Sequence, residues 1–225
     1  MTGGAAFFDV DETLVTCKSM LSFLDHYYRE SGRPDGAATE ATGSLREITD
    51  RGGTREQSNR AYYRLFTGQR TAEVAEAGRR WFADRMRAGG LFHPPVLDAL
   101  RVHQQAGLLV VLVSGSFSAC LDPIAARVGA DLALGTLPAV ADGRYTGEVL
   151  RTRIGAGKAE TAAEVLRERS LHPAESYAYG DHASDLALLG QVGHPVVVGD
   201  DPVLLDRAHT GRWARLPGIH APATH

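Results

Sequence analysis

Cysteine is scarce in this sequence, and long apolar runs are missing from it. Only Cys17 and Cys120 occur, far apart and in no Cys-x-x-Cys pattern. A disulfide framework is therefore excluded, and two free thiols in a reducing compartment are expected. The apolar runs are far shorter than the roughly 20 residues of a membrane-spanning helix, and the first residues lack the basic and apolar regions of a signal peptide. We therefore predict a cytoplasmic protein with no membrane partner.

A strong excess of either charge is missing as well. The formal net charge of −3 provides no bulk electrostatic attraction to nucleic acid or to an anionic membrane. We therefore expect no nucleic-acid partner, and any phosphate must be held by a local site. The 225 residues suffice for one α/β domain with a modest insertion. We expect a monomer or a homodimer.

Short apolar runs alternate with helical patterns along most of the chain. Runs bounded by Gly, Pro or Asp predict buried parallel strands at Ala5–Val10, Leu108–Val113, Ser176–Tyr179 and Pro195–Val198. Helical patterns at 95–105, 157–169 and 183–189 lie around them. This order is typical of an α/β fold with a Rossmann-like, doubly wound parallel sheet. The segment Ala-Asp-Gly-Arg at 141–144 predicts a hairpin turn between 137 and 149.

Residues 15–90 depart from this alternation. They contain no good strand but several amphipathic helical windows, such as 20–30, 55–66 and 72–87. We predict a small all-helical cap here, inserted after the first strand of an α/β core made of residues 1–14 and 91–216. Residues 217–225 are rich in Pro and Ala and predict a flexible tail.

Two carboxylates follow the first predicted strand. Asp9 and Asp11 lie two residues apart in Asp-Val-Asp-Glu-Thr and so project to the same side of the strand end, where open α/β sheets bind ligands. Carboxylates this close repel each other, and a hard divalent cation, Mg²⁺ best of all, relieves the repulsion. A solvated turn that opens a helix explains the same pattern equally well.

Two further segments carry groups suited to an anion. Ser114-Gly115 closes the second predicted strand, where a small hydroxyl and an adaptable backbone can approach phosphate closely. Lys158 stands at a helix start, a position that the helix dipole disfavours for a cation. A strand-ending turn and an exposed lysine are the ordinary explanations. A P-loop is excluded, because Thr152 and Ala159 stand where that motif needs Gly and Ser or Thr.

A second pair of acids follows the third predicted strand. Asp181 stands at the strand end and Asp185 one helical turn later, with Ser184 between them. The pair can complete a metal site or cap a helix, whereas His182 is typical of a surface residue because the other candidate ligands are hard oxygens. Together the four segments supply a nucleophile, an acid/base, a phosphate clamp and a metal site, the parts that phosphoryl transfer requires.

In their order and context, the four segments resemble the four motifs of the haloacid dehalogenase superfamily. The position of the cap resembles the phosphoserine-phosphatase-like branch, subfamily IB. The resemblance implies a phosphatase in which Asp9 attacks phosphorus to form an aspartyl-phosphate and Asp11 is the general acid/base. The implied phosphate-binding residues are Thr13, Ser114, Gly115 and Lys158. The implied Mg²⁺ ligands are Asp9, the main-chain carbonyl of Asp11 and Asp181, with Asp185 in support.

Two cap positions depart from the phosphoserine phosphatases that the chain otherwise resembles. Lys18 stands where those enzymes carry a Glu for the substrate's amino group, and Tyr62 stands where they carry an Arg, with Arg60 close by. A lysine repels an ammonium group. We therefore predict a small phosphorylated sugar, cyclitol or organic acid as substrate rather than phosphoserine, with Lys18, Arg60, Tyr62 and Ser184 near it.

Three other functions compete with that of a phosphatase. A phosphotransferase that passes the phosphoryl group from Asp9 to an alcohol would use the same two carboxylates. A non-catalytic binding module would not need competent residues at every motif, as this chain has. A dinucleotide-binding protein would need Gly-x-Gly-x-x-Gly after the first strand, where Asp9 and Asp11 stand instead.

Overall fold

The computed structural model describes residues 3–219, in which helices flank a sheet of parallel strands. The strands are β1 Ala5–Phe8, β2 Leu109–Ser114, β3 Leu132–Gly135, β4 Leu137–Ala141, β5 Arg144–Arg151, β6 Tyr177–Gly180, β7 His194–Val198 and β8 Ala214–Leu216. The helices are α1 Ser19–Glu30, α2 Ala37–Asp50, α3 Arg55–Arg64, α4 Thr71–Ala88, α5 Pro94–Gln105, α6 Ser118–Val128, α7 Ala156–Glu168, α8 Leu186–Leu189 and α9 Pro202–Gly211. Most of the tail predicted at 217–225 lies outside the described residues, as do Met1 and Thr2. Within residues 3–219, no helix is both long and apolar enough to cross a bilayer.

Six strands form one parallel sheet in the order β3-β2-β1-β6-β7-β8. The chain adds β2 and β3 on one side of β1, then crosses to the other side to add β6, β7 and β8. Connections that leave a sheet in opposite directions open a crevice at the carboxyl ends of the strands. The predicted Rossmann-like, doubly wound sheet is confirmed, and its crevice lies at β1.

The central strand β1 reads as a continuous apolar run because both of its faces are covered. Ala6 and Phe8 pack into one hydrophobic cluster, whereas Ala5 and Phe7 pack into a second cluster on the opposite face. A strand at the sheet surface would instead alternate apolar and polar residues. Because both of its faces are packed, β1 is held firmly in the sheet, and the residues that follow it start from a fixed position at its carboxyl end.

Helices α1 to α4 form the all-helical cap predicted after the first strand; its limits at residues 15 and 90 stay a prediction. Phe23 of α1 and Phe66, just after α3, are stacked with ring centroids 6.0 Å apart. Phe117, which follows β2, approaches Phe23 to 5.8 Å and Phe66 to 5.5 Å. The cap thus rests on the loop after β2 through a shared aromatic cluster.

The predicted hairpin is present as β4 and β5, which pair with each other outside the main sheet. Its turn residues Asp142 and Gly143 have φ angles of 49° and 72°, the left-handed backbone that tight hairpin turns require. The Gly68 N–H donates to the Tyr145 carbonyl at 2.8 Å, and the Arg144 guanidinium donates to the Gly68 carbonyl at 2.7 Å. The hairpin therefore binds the cap, although the chain reaches it only after three core strands.

Candidate active site

Three neighbouring strands deliver polar residues to the crevice. Asp9 comes directly after β1, Ser114 is the last residue of β2, and Asp181 comes directly after β6. The Asp9 N–H donates to the Tyr179 carbonyl of β6 at 3.0 Å, which holds the chain in the sheet up to that residue. Parallel strands end at one edge of a sheet, so segments 9, 114 and 181 meet despite their separation in sequence.

Lys158 joins two of the predicted carboxylates. Its Nζ atom lies 2.6 Å from Asp9 Oδ1 and 2.5 Å from Asp185 Oδ1. All three side chains are buried; Asp185 is 0% exposed and the other two are 5% exposed. Burial alone would lower the pKa of Lys158, but Asp185 and Asp9 raise it above its usual range. Lys158 is therefore a fixed positive charge in the first turn of α7, a position for which an exposed lysine was the ordinary expectation.

The carboxylates at this crevice outnumber the positive charges around them. Asp9, Asp181 and Asp185 each offer an oxygen, and these oxygens lie within 4.8 Å of one another. Burial raises the pKa of each carboxyl group above its usual range, and Lys158 opposes the rise. Three carboxylates with one lysine leave an excess of negative charge, and hard oxygen donors suit a small divalent cation. The residues present therefore fit a metal ion.

Thr13 links the first and fourth motifs. Its hydroxyl donates to Asp181 Oδ1 at 2.7 Å and lies 3.3 Å from Asp9 Oδ2. Thr13 is fully buried and is not among the residues that line the cavity above the site. The structure thus places this residue, predicted to bind phosphate, between two carboxylates that it orients.

Asp11 is held at the start of the cap. Its Oδ1 atom accepts a hydrogen bond from the Ser19 N–H in the first turn of α1 at 3.0 Å. Burial raises the pKa of Asp11 to about 6, against the lowering effect of the hydrogen bonds from Ser19. A carboxyl group with this pKa can both hold and release a proton near neutral pH, as acid/base chemistry requires.

The Ser114-Gly115 loop is tied to the cap by two side chains, neither of which was predicted to contact it. The carbonyl of Gly115 accepts hydrogen bonds from Asn59 Nδ2 and from the Tyr63 hydroxyl, each at 2.9 Å. Both donors are buried and lie four residues apart on one face of α3. Ser114 Oγ accepts from the Ser116 N–H at 3.0 Å. The only sequence signal was the i, i+4 spacing of two polar groups in α3.

The loop after β6 is held from two directions. Asp185 Oδ2 accepts from the His182 N–H at 3.3 Å, which fixes the turn internally. Asp201, the N-cap of α9, accepts from the N–H of Ala183 at 3.1 Å as well as from its own helix. Ser184 lines the cavity, and its hydroxyl lies 3.2 Å from His182 Nδ1. Asp201 was not singled out from the sequence, because its contact with this loop depends on the β7 connection.

Gly180 leaves no room for a side chain beside Asp185. A Cβ atom at Gly180 would lie 2.5 Å from Asp185 Cβ. We expect Gly180→Ala to displace Asp185 from Lys158, lowering kcat/KM by about 10–100-fold and stability by about 1–3 kcal/mol. Phosphatase kinetics and urea denaturation measure the two effects.

Gly43→Ala is the matched control for that change. Gly43 lies in α2, and no atom would lie within 4 Å of its new Cβ. We expect unchanged kinetics and a stability gain of about 0.5–1 kcal/mol, since alanine favours a helix. Gly180→Ala kinetics equal to those of Gly43→Ala would show that the position of Asp185 does not matter.

The cap forms one wall of a cavity of about 420 Å³ that lies over these residues. Lys18 lines it and pairs with Glu12 at 3.5 Å. Tyr62 reaches its edge but is only 1% exposed, and its hydroxyl donates to the Met20 carbonyl at 2.9 Å. Arg60 is not among the lining residues. Its guanidinium donates to Glu56 and to the main chain of β5, because this side of α3 faces the hairpin.

Comparisons with known proteins agree with this geometry. A family model described as haloacid dehalogenase-like hydrolase matches residues 6–190. A probable phosphatase of Mycobacterium tuberculosis is 30% identical over 212 residues, which cover 93% of this chain and 73% of that protein. A phosphoserine phosphatase of Streptomyces coelicolor is 29% identical over 203 residues, 90% of this chain and 45% of that protein. The crystal structure of a Bordetella pertussis protein of unknown function is similar with a TM-score of 0.85 at 28% identity, covering 96% of this chain and 99% of that one.

The matched range contains every motif residue from Asp9 to Asp185, and the structure brings the first, second, third and fourth motifs to one crevice. The predicted resemblance to phosphoserine-phosphatase-like enzymes is confirmed by a relative of that name. The chain belongs to the haloacid dehalogenase-like hydrolase family and is a phosphatase of that family.

Proposed function

We propose that this phosphatase hydrolyses a small soluble phosphomonoester through an aspartyl-phosphate on Asp9. The observation that carries the proposal is the Asp9 carboxylate itself, which lines the cavity while Lys158 Nζ lies 2.6 Å from its Oδ1 atom. A buried carboxylate is a competent nucleophile when a fixed positive charge keeps it ionised and reduces its repulsion of an incoming phosphate.

Asp11 is the proposed proton donor and acceptor. As an Asp9 oxygen bonds to phosphorus and the ester bond breaks, protonated Asp11 gives its proton to the leaving oxygen. Ionised Asp11 then takes a proton from water, whose oxygen bonds to phosphorus as the Asp9–phosphorus bond breaks. Asp11 lines the same cavity as Asp9, and its raised pKa suits both halves of the reaction.

Mg²⁺ is the proposed metal, held by Asp9, Asp181 and the main-chain carbonyl of Asp11. When bound, it offsets the negative charge of the phosphoryl group. Asp185 supports the site indirectly, since its two oxygens already accept from Lys158 and from the His182 N–H. Ser114, Gly115 and Lys158 line the cavity and are the proposed ligands of the phosphoryl oxygens.

The proposed leaving group is a sugar, a cyclitol or an organic acid rather than serine. Lys18 lies in the cavity, where it disfavours an ammonium group. The acid nearest to it, Glu12, is occupied by the ion pair with Lys18. A phosphotransferase that uses an alcohol in place of water would share Asp9 and Asp11, so the identity of the acceptor must be measured.

A panel of phosphomonoesters tests the proposal. We expect Mg²⁺-dependent phosphate release from at least one monoester, loss of release with EDTA, and no release by Asp9→Asn protein. Added alcohols that divert the phosphoryl group into new esters would identify a phosphotransferase. Absence of both phosphate release and transfer from every monoester would contradict the proposal.

A further inference from the structure

One face of α2 and one face of α3 form the cap wall of the cavity. The lining residues of α2 are Thr42, Leu45, Arg46 and Thr49, and those of α3 are Arg55, Ser58, Asn59 and Tyr62. Each set has the spacing i, i+3, i+4, i+7, which places its members on one side of a helix. Each face therefore presents one arginine to the cavity, and neither Arg46 nor Arg55 was among the predicted site residues.

The two sides of the cavity differ in charge. Its acidic lining residues all come from the loops that follow β1 and β6: Asp9, Asp11, Glu12, Asp181 and Asp185. The charged lining residues from the cap helices and from the residue before them are all cations, namely Lys18, Arg46 and Arg55. Among the described lining residues, none from the cap helices is acidic, so a cationic part of a substrate would find no partner there.

The arginines that line the cavity differ from those outside it in their ion pairs. Arg51, outside it, pairs with Glu47 at 3.0 Å, and Arg60, outside it, pairs with Glu56 at 3.1 Å. Within residues 3–219, Arg46 and Arg55 form no ion pair with a carboxylate. The acids next to them in sequence, Glu47 and Glu56, pair with Arg51 and Arg60 instead. The positive charge of Arg55 also reaches the loop after β6, where it adds to burial in lowering the pKa of His182.

We propose that Arg46 and Arg55 bind a second anionic group, a carboxylate or another phosphate, in the leaving group of the substrate. The inference rests on the proposed function, because it assumes that the phosphoryl group lies over Asp9. A guanidinium binds carboxylate and phosphate oxygens through two parallel hydrogen bonds. Among the predicted substrates, it favours an organic-acid phosphate or a bisphosphate over a neutral sugar or cyclitol phosphate.

Binding to Asp9→Asn protein measures this preference without turnover. Glycerol 3-phosphate and 3-phosphoglycerate differ only by a neutral hydroxymethyl group in place of a carboxylate. Fructose 6-phosphate and fructose 1,6-bisphosphate differ by a second phosphate. In at least one pair, we expect the more anionic member to bind about tenfold or more tightly, as one charged hydrogen bond provides. Calorimetry with Mg²⁺ present gives the dissociation constants, and the pair that shows the preference identifies carboxylate or phosphate.

Arginine variants assign the preference to its residues. In the Asp9→Asn background, adding both Arg46→Gln and Arg55→Gln should reduce the ratio of dissociation constants to near one. Both residues are exposed, so the protein should keep its fold, which circular dichroism checks. Arg51→Gln is the control, because it removes the same charge from the end of α2 outside the cavity and should leave the ratio unchanged.

Failure of this inference and failure of the proposed function give different results. Equal affinities within both pairs, or a preference that survives in the double arginine variant, would overturn the role of the arginines. A preference that Arg51→Gln also abolishes would overturn it too. A preference lost only in the arginine variants, together with a wild-type protein that releases or transfers no phosphate, would uphold the anion site and overturn only the proposed chemistry.

Discussion

Asp9→Asn is expected to lower kcat by about 10⁴-fold or more, because an amide cannot replace the carboxylate that attacks phosphorus. The same change should not destabilise the fold. Burial and the nearby Asp181 charge raise the pKa of Asp9 above its usual range, so replacing this carboxylate by a neutral amide costs little stability. Lys158 also keeps its contact with Asp185. Steady-state kinetics and thermal denaturation together measure the two effects.

Asp142→Asn is the matched control for Asp9→Asn. Asp142 is an exposed residue of the hairpin turn with φ 49°, a backbone conformation that asparagine adopts as readily as aspartate. The control should keep wild-type kinetics and stability. Residual Asp9→Asn activity within about tenfold of the control would exclude Asp9 as the nucleophile.

Lys158→Met is expected to combine a large loss of activity with a large loss of stability. The methionine leaves Asp9 and Asp185 buried without their shared counter-ion, and breaking a buried ion pair from one side costs about 3–5 kcal/mol. Lys18→Met is the control, since Lys18 is the only other lysine and its ion pair is partly exposed. The control should change stability by no more than about 1 kcal/mol. Urea denaturation of the two variants in EDTA measures their changes in stability without a contribution from bound divalent cations.

A double variant separates loss of charge balance from loss of packing. Adding Asp185→Asn to Lys158→Met removes one of the two stranded carboxylates, while the side-chain oxygen can still accept from the His182 N–H. We therefore expect the double variant to be more stable than Lys158→Met alone. A double variant that is less stable would indicate that Lys158 acts mainly by filling space.

The core of the fold could be predicted from sequence because its signals are local. β1 and β2 are continuous apolar runs, and buried parallel strands have that pattern. Helix α2 was not among the predicted helical windows, because Leu45 is its only buried residue among the 14 from Ala37 to Asp50 and its other core contacts come from small, partly buried alanines such as Ala41. The edge strands β3 and β8, of four and three residues, are too short for a pattern.

Part of the site could likewise be predicted from local sequence patterns, whereas the rest depends on tertiary packing. Asp9, Ser114 and Asp181 stand at strand ends, and the topology of a parallel sheet brings such positions together. No comparable rule predicts which cap side chains point into the cavity. Arg60 and Arg55 lie on the same helix, yet Arg55 lines the cavity whereas Arg60 donates to Glu56 and the hairpin. Their directions depend on how α3 packs on β5, which sequence spacing alone does not determine.

Chemical trapping of the intermediate tests the nucleophile most directly. Wild-type protein is mixed with a hydrolysed monoester and Mg²⁺, quenched in acid within milliseconds, and treated with borohydride, which reduces an acyl phosphate to an alcohol. Mass spectrometry of the peptide that contains Asp9 should then find homoserine at position 9, and the same treatment without substrate should leave aspartate there. Homoserine at Asp11 or at another carboxylate, or turnover with no reduced residue at any quench time, would contradict attack by Asp9.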